Sequence, residues 1–325
     1  LTNGINALLR GTAHWAYDIS KLTASTVRGC IIPAKGKKFV VADYSNVEGR
    51  GLAWIAGEKT ALMVFRAGRD IYCETAGKMF GLDPEYIKAN RKDLRQIGKA
   101  CELGLGYGGG VAAFLQFAKN LGLDLYAMAD VMKGTFPDHI WAAAKRGYEY
   151  ARINEAKRPP KPGKKDERPT YILPKNVWLT CDAIKRMWRE SHPMTVAFWA
   201  ELEDAVLCAI RNPGKAYWAG ANVRPDGRKA LKIVRTKAKH DPTFDEERDD
   251  PNAAGWWLKI ELPSGRIMSY PGIALSVTTE IDEDTGKKRT STRIKYQGEN
   301  QTTRQWGFQY TYGGKLTENI VQALC

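Results

Sequence analysis

From residue 47 to 215 the chain is written mainly in helical patterns, and from Ala216 onward in short strands and tight turns, while residues 1–38 are weakly patterned apart from a helix predicted over 19–29. No other feature limits the fold as strongly. Helices and strands segregated along a chain build α+β architectures, not the alternating βαβ units of a parallel sheet. Residues 175–189 and 194–210 predict two long helices, stopped near His192-Pro193 and at Asn212-Pro213-Gly214. Residues 256–262 and 266–270 flank Pro263-Ser264-Gly265 and predict a β-hairpin. Residues 277–296 predict a second, turning at Asp284-Thr285-Gly286. Trp178, Trp188, Phe198 and Trp199 are most economically core residues. Residues 145–170 are polar and Pro-bearing, with Lys157, Arg158, Lys161, Lys164 and Lys165, and predict a solvated loop or a polyanion-binding surface. Residues 222–250, basic and then acidic, predict an exposed excursion.

With 325 residues, 43% of them hydrophobic, the chain can bury a large core and divide into two substructures, and it is no disordered polyelectrolyte. Fifty Lys and Arg against 36 Asp and Glu leave a net charge of +14, which favours a polyanionic partner such as nucleic acid. The six cysteines form no Cys-x-x-Cys pair and the four histidines are dispersed, so reduced thiols are expected in place of a disulfide framework or zinc site. No apolar run reaches the roughly 18 residues of a membrane span and no signal peptide is visible, so a cytoplasmic protein with no membrane partner is expected. The chain starts at Leu1 and stops at Cys325 inside a helical run, which reads as a fragment or one part of a split protein.

Two stretches carry chemistry. Phe39-Val40-Val41-Ala42 predicts a short buried strand ending on Asp43, ahead of a helical segment through Glu58. A carboxylate at the end of a buried strand suits a metal ion; it suits equally the cap of the next helix. Between residues 91 and 108, Arg95, Lys99, Leu103 and Tyr107 recur every four residues, one drifting stripe on a helix. Twelve residues span about 18 Å, the reach of a nucleoside triphosphate plus a base pair. Two cations near the helix N-terminus suit phosphates, and the ring at the other end suits a base. The same spacing also describes an amphipathic helix with its basic residues outside.

Asp43-Tyr44-Ser45-Asn46-Val47-Glu48-Gly49-Arg50 resembles the first motif of the family A (bacterial DNA polymerase I-like) DNA polymerases, usually Asp-Tyr-Ser-Gln-Ile-Glu-Leu-Arg. Gly49 for Leu is the largest departure. Arg95, Lys99, Gly104, Tyr107 and Gly108 resemble the second motif, with Leu103 where an aromatic is usual. Asp70-Ile71-Tyr72 resembles a stretch that commonly reads Asp-Ile-His, and residues 311–323 resemble a helix of the phage branch that flanks primer and template.

The resemblance implies an α+β right-hand polymerase, mostly helical fingers on a partial antiparallel-sheet palm. Residues 1–58 would be partial palm with the first metal motif, 59–215 the fingers, and 216–325 a hairpin-rich return into the palm. Asp43 would bind two Mg²⁺ ions, with Mn²⁺ a possible substitute, and Tyr44 would lend a carbonyl. Glu48 would lie beneath the sugar, Tyr72 near the incoming phosphates, and Arg95 and Lys99 on the triphosphate, Lys99 also as acid for the pyrophosphate. Leu103 would make a looser sugar contact, Tyr107 and Gly108 would guard the templating base, and Asn319 would meet primer-template. The partners implied are primer-template DNA, dNTPs, and a downstream segment carrying the family's His-Asp-Glu motif, which does not occur in this sequence. The function implied is DNA synthesis in phage or prophage replication by a two-metal mechanism. A single-subunit RNA polymerase is the alternative enzyme, although those carry a small residue where Glu48 stands; a non-catalytic nucleic-acid-binding remnant is the alternative without chemistry.

Overall fold

The computed structural model describes residues 2–160, 165–237, 255–281, 288–300 and 303–325. It divides into two units, Leu1–Ser45 and Asn46–Cys325.

The first unit holds α1 (Thr2–Leu9) and α2 (Ile19–Thr26), with 3₁₀ turns at Ala13–Trp15 and Val27–Cys30. Asp18 caps α2 by accepting from the Lys21 amide at 3.1 Å. Of the helix predicted over residues 19–29, Ile19–Thr26 is α-helical, and the chain continues as a 3₁₀ turn. The strand expected at residues 39–42 does not form, and Val41 is 91% exposed. Its β-branched residues favour an extended backbone, but a strand needs a neighbour to take up its N–H and C=O groups. Among the described residues no strand pairs with it.

The second unit opens with α3 (Val47–Ala56), whose N-cap position falls on Asn46 and not on Asp43. There follow α4 (Lys59–Arg66), α5 (Ile71–Phe80), α6 (Pro84–Asn90), α7 (Lys92–Leu105), α8 (Val111–Asn120), α9 (Leu125–Val131), α10 (Asp138–Ala156), α11 (Pro169–Ile172), α12 (Lys175–Ser191) and α13 (Pro193–Arg211). Local chemistry sets these boundaries. Asp70, Asp83 and Asp124 each accept from backbone amides at a helix start. Gly57 and Gly81 end α3 and α5 in the left-handed conformation that only glycine adopts cheaply.

Then come β1 (Ala216–Val223), β2 (Lys229–Lys237), β3 (Trp256–Glu261), β4 (Ile267–Pro271), β5 (Ala274–Ile281), β6 (Lys288–Glu299) and β7 (Trp306–Thr311), followed by α14 (Gly313–Leu324). The strands form two antiparallel sheets, ordered β1-β2-β3-β4 and β5-β6-β7. The architecture is α+β, and both expected hairpins are present as β3-β4 and β5-β6. The turn at residues 284–286 lies outside the described residues.

One core lies among α5 to α12, around Phe114, Ile140, Trp178, Ile184 and Trp188. A second joins α3, α13 and α14 to the sheets through Leu52, Ile55, Leu202, Leu231, Leu258 and Ile320. Helix α13 serves both, with Trp199 in the first and Phe198 in the second. Two loop expectations need correction. Residues 145–156 continue α10, because Ile140, Ala144 and Tyr148 form a buried i, i+4, i+8 stripe against α12. Lys157, Arg158 and Lys165 are exposed, while Lys161 and Lys164 lie outside the described residues. Within 222–250, residues 229–237 are strand β2, since Leu231 and Ile233 alternate into the core, and residues 238–250 lie outside the described residues.

Candidate nucleotide-binding site

Helix α7 turns Leu94, Ile97, Ala100, Cys101 and Leu105 into the core, which leaves Arg95, Lys99 and Leu103 on its outer side. It lies hard against α5: a Cβ on Gly98 would collide with the Tyr72 carbonyl oxygen. That approach puts Asp70 and Tyr72 beside Arg95. The Arg95 Nε donates to Asp70 Oδ2 at 2.7 Å, and its guanidinium sits 5.4 Å from the Tyr72 ring centre. Asp70 Oδ1 accepts from the amides of Tyr72 and Cys73, so one carboxylate caps α5 and anchors Arg95. Burial pushes the Asp70 pKa up, but the Arg95 hydrogen bond and charge, with the two amides, bring it net below its ordinary value.

Lys99, half-buried one turn further on, makes no ion pair among the described residues. The two cations thus differ: Arg95 is neutralised and aimed, whereas Lys99 supplies the net positive charge. Asp70 was legible in sequence only as a cap. Its pairing with a residue 25 positions away was not.

The helix is shorter than the 91–108 stretch and ends at Leu105, so Tyr107 projects from the turn after it. Three contacts hold that turn. Arg189 Nη2 donates to the carbonyls of Gly108 and Gly109 at 3.3 and 3.1 Å, and Trp199 Nε1 donates to the Gly106 carbonyl at 3.1 Å. Gly108 has φ +78°, which a side chain rarely adopts. Burial, and then the negative charge of Glu48, push the Tyr107 pKa up, with Glu318 adding to the effect. The fold packs this turn, α3 and α14 together: a Cβ on Gly106 would lie 2.9 Å from Leu52 Cδ2 of α3, and one on Gly51 of α3 would lie 3.5 Å from Val321 Cγ1 near the chain's end.

Helix α14 reaches this turn through two glycines. A Cβ on Gly314 would collide with the Tyr107 carbonyl oxygen, and one on Gly313 with the Trp199 carbonyl oxygen. The Gly313 amide donates to Glu203 Oε2 at 2.8 Å. Gly313→Ala is expected to cost at least about 1–3 kcal/mol, because the obstacle is a backbone carbonyl that cannot rotate away. Comparison of urea midpoints with Gly307→Ala, whose Cβ would enter open space, checks this: only Gly313→Ala should fall. Asn319, further along α14, donates to the Tyr270 hydroxyl at 3.1 Å.

Asp43 and Tyr44 belong to the first unit, and both are exposed. Among the described residues no group of three or more His, Cys, Asp or Glu is arranged to hold a metal ion. Asp43 with the Tyr44 carbonyl offers one carboxylate and one neutral oxygen, fewer donors than a two-ion site requires. No helix among the described residues is long and apolar enough to cross a membrane.

Comparison with known proteins bears on this geometry. Residues 18–135 match the model of DNA polymerase family A. The chain is 30% identical over 322 residues to a DNA polymerase of Bacillus phage SP02, an alignment covering 97% of this chain and 36% of that protein. A DNA polymerase I of Chloroflexus aurantiacus is 34% identical over 98 residues, 30% of this chain and 10% of that protein. The thermostable DNA polymerase I of Thermus aquaticus is 37% identical over 82 residues, 25% of this chain and 10% of that protein. The chain thus spans about a third of the phage relative and about a tenth of the other two.

Proposed function

Since the chain belongs to the family A DNA polymerases, we propose that it supplies the nucleotide-binding part of an enzyme for template-directed DNA synthesis, acting in phage or prophage replication in a bacterial cytoplasm. The observation that carries this reading is the outer side of α7. Arg95 is anchored on Asp70, Lys99 stands one turn on without an ion-pair partner among the described residues, and Tyr107 follows at the far end beside the charge of Glu48.

Arg95 and Lys99 bind the triphosphate of a dNTP, and Tyr72 contributes one hydroxyl donor there. Lys99 Nζ passes a proton to the departing pyrophosphate. Leu103 and Glu48 bound the sugar, Tyr107 and Gly108 meet the templating base, and Asn319 lies along primer-template. Residues 59–215 act as the fingers, and residues 1–58 and 216–325 as parts of the palm. Asp43 and the Tyr44 carbonyl are ligands for a divalent ion, Mg²⁺ by preference and Mn²⁺ as substitute. One carboxylate and one carbonyl are an incomplete donor set for two ions. The second carboxylate is proposed to come from sequence outside these 325 residues, in keeping with the greater length of the relatives.

Primer extension with Mg²⁺ tests the reading, with the chain alone and in a protein supplying the further carboxylate. Extension is expected only in the second case. No extension in either would sink the polymerase reading, and extension by the chain alone would show that the metal site is complete within it. Glu48 favours deoxynucleotides over ribonucleotides, because its side chain occupies space that a 2′-hydroxyl needs. Glu48→Ala is therefore expected to narrow the dNTP/rNTP preference in single-turnover incorporation by the complete enzyme; an unchanged ratio would remove Glu48 as the gate.

A further inference from the structure

The β5-β6-β7 sheet has two unlike faces. Antiparallel register puts Lys295 opposite Tyr310, Gln297 opposite Phe308 and Glu299 opposite Trp306, so these side chains share one face. The other face carries Ile294 and Thr311, opposite each other and both buried. The first face is therefore the open one, and β7 lines it with rings. Trp306 is 67% exposed, Phe308 43% and Tyr310 56%, and Tyr312 continues the alternation just past the strand, also exposed.

A contiguous row of four exposed rings marks an interaction surface. Cations are interleaved with the rings. The Arg293 guanidinium lies 5.2 Å from the Tyr310 ring centre and the Lys295 ammonium 4.4 Å from that of Phe308. Glu299, an acidic residue on this face, is paired with Arg304 at 3.3 Å. Rings with cations between them are what a strand of bases and phosphates requires.

The spacing selects the form of nucleic acid. Alternate residues on a strand are about 6.8 Å apart, roughly twice the 3.4 Å rise per base of a stacked strand. Bases must be splayed to meet successive rings, which a single strand permits and a duplex does not. The row also has a direction. Tyr312, at its end, abuts the turn that carries Tyr107: a Cβ on Gly108 would lie 3.3 Å from Tyr312 Cε2.

We propose that the open face of the β5-β6-β7 sheet is a binding platform for single-stranded DNA, with Trp306, Phe308, Tyr310 and Tyr312 stacking on bases and Arg293 and Lys295 meeting phosphates. It leads an unpaired template strand toward Tyr107. That last role rests on the polymerase reading; single-strand binding itself does not.

The test is fluorescence anisotropy of a labelled oligo-dT strand and of a blunt hairpin duplex with the 325-residue chain, in EDTA and without dNTPs. Trp306→Ala and Tyr310→Ala are each expected to weaken oligo-dT binding about tenfold and to leave duplex binding unchanged, while Tyr310→Phe keeps wild-type affinity. Circular dichroism melts confirm that the variants fold. Absence of oligo-dT binding, ring variants that bind it normally, or equal losses on strand and duplex would each overturn the platform. So would ring variants that change the association state in sedimentation while DNA binding stays constant, which would identify the face as a protein contact. Because the assay holds neither metal nor nucleotide, failed primer extension leaves it intact. Conversely, normal extension with indifferent ring variants removes the platform alone.

Discussion

Lys99→Ala is expected to lower kcat for nucleotide incorporation by about 10²–10³-fold in a protein carrying the complete metal site. The reason is the inequality of the two cations on α7. Arg95 is held by Asp70 at 2.7 Å, and that pair adds little net charge toward a triphosphate. Lys99 has no ion-pair partner among the described residues. On the proposed polymerase reading it is therefore the group whose full charge would face the negative charge that builds on the leaving pyrophosphate. Charge that matters most in the transition state appears in kcat, whereas charge felt equally by bound substrate appears in KM. Arg95→Ala should accordingly raise the apparent dNTP KM more than it lowers kcat, while freeing the Asp70 carboxylate beside the phosphates. Single-turnover incorporation over a range of dNTP concentrations separates the two. Wild-type kinetics for Lys99→Ala would remove the phosphate-clamp reading, and matching profiles for both variants would remove the asymmetry.

The second large effect concerns the support of α7. Glu102, on its inner flank, accepts from Thr75 Oγ1 of α5 at 2.7 Å and from Trp188 Nε1 of α12 at 3.0 Å. His192 Nε2, at the start of α13, lies 3.2 Å from the same oxygen. The imidazole stacks on Trp188 at 4.3 Å, and its Nδ1 lies 3.0 Å from the Trp188 carbonyl. Four helices thus meet on one largely covered carboxylate. Glu102→Ala strands two donors and a buried imidazole, and is expected to cost about 3–5 kcal/mol, read as a lower urea midpoint.

The same pair predicts a pH dependence. Burial pulls the His192 pKa down, but the hydrogen bond and charge of Glu102 outweigh it, and the net value is raised above 6.5. Burial pushes Glu102 up, but His192, Trp188 and Thr75 outweigh it, and the net value lies below 4.5. A raised His pKa stabilises fully below 6.5, and that contribution is lost as pH rises through the folded value. A lowered Glu pKa stabilises above 4.5, and that contribution is lost as pH falls through the folded value. The stability gap between wild type and Glu102→Gln should therefore be widest between pH 4.5 and 6.5 and shrink above the raised His192 pKa. A gap flat from pH 5 into the alkaline range would show that the pair is not charged in the folded protein.

What could be read from the sequence was local. The stops at Asn212-Pro213-Gly214, the cap at Asp70 and the hairpin around Pro263-Ser264-Gly265 follow from backbone preferences of the residues themselves, and the chain forms all three. The four-residue spacing of Arg95, Lys99 and Leu103 placed them on one side of a helix whatever that helix packs against. Reading failed where a pattern needed a partner. Val40 and Val41 have strand propensity, but without a neighbouring strand among the described residues they stay irregular and exposed. Residues 145–156, polar in composition, became helix because three apolar side chains at the right spacing found α12.

Charge and packing at the candidate site were likewise decided at long range. Arg95 meets Asp70 across 25 residues, and Glu102 meets Trp188 across 86. The alternation of Trp306, Phe308 and Tyr310 is plain in the sequence, and so is the fact that they share a face. Which way that face points depended on the burial of Ile294 and Thr311 behind it. A period-2 pattern fixes which side chains travel together, while the core that covers one side determines which of them remain free to bind.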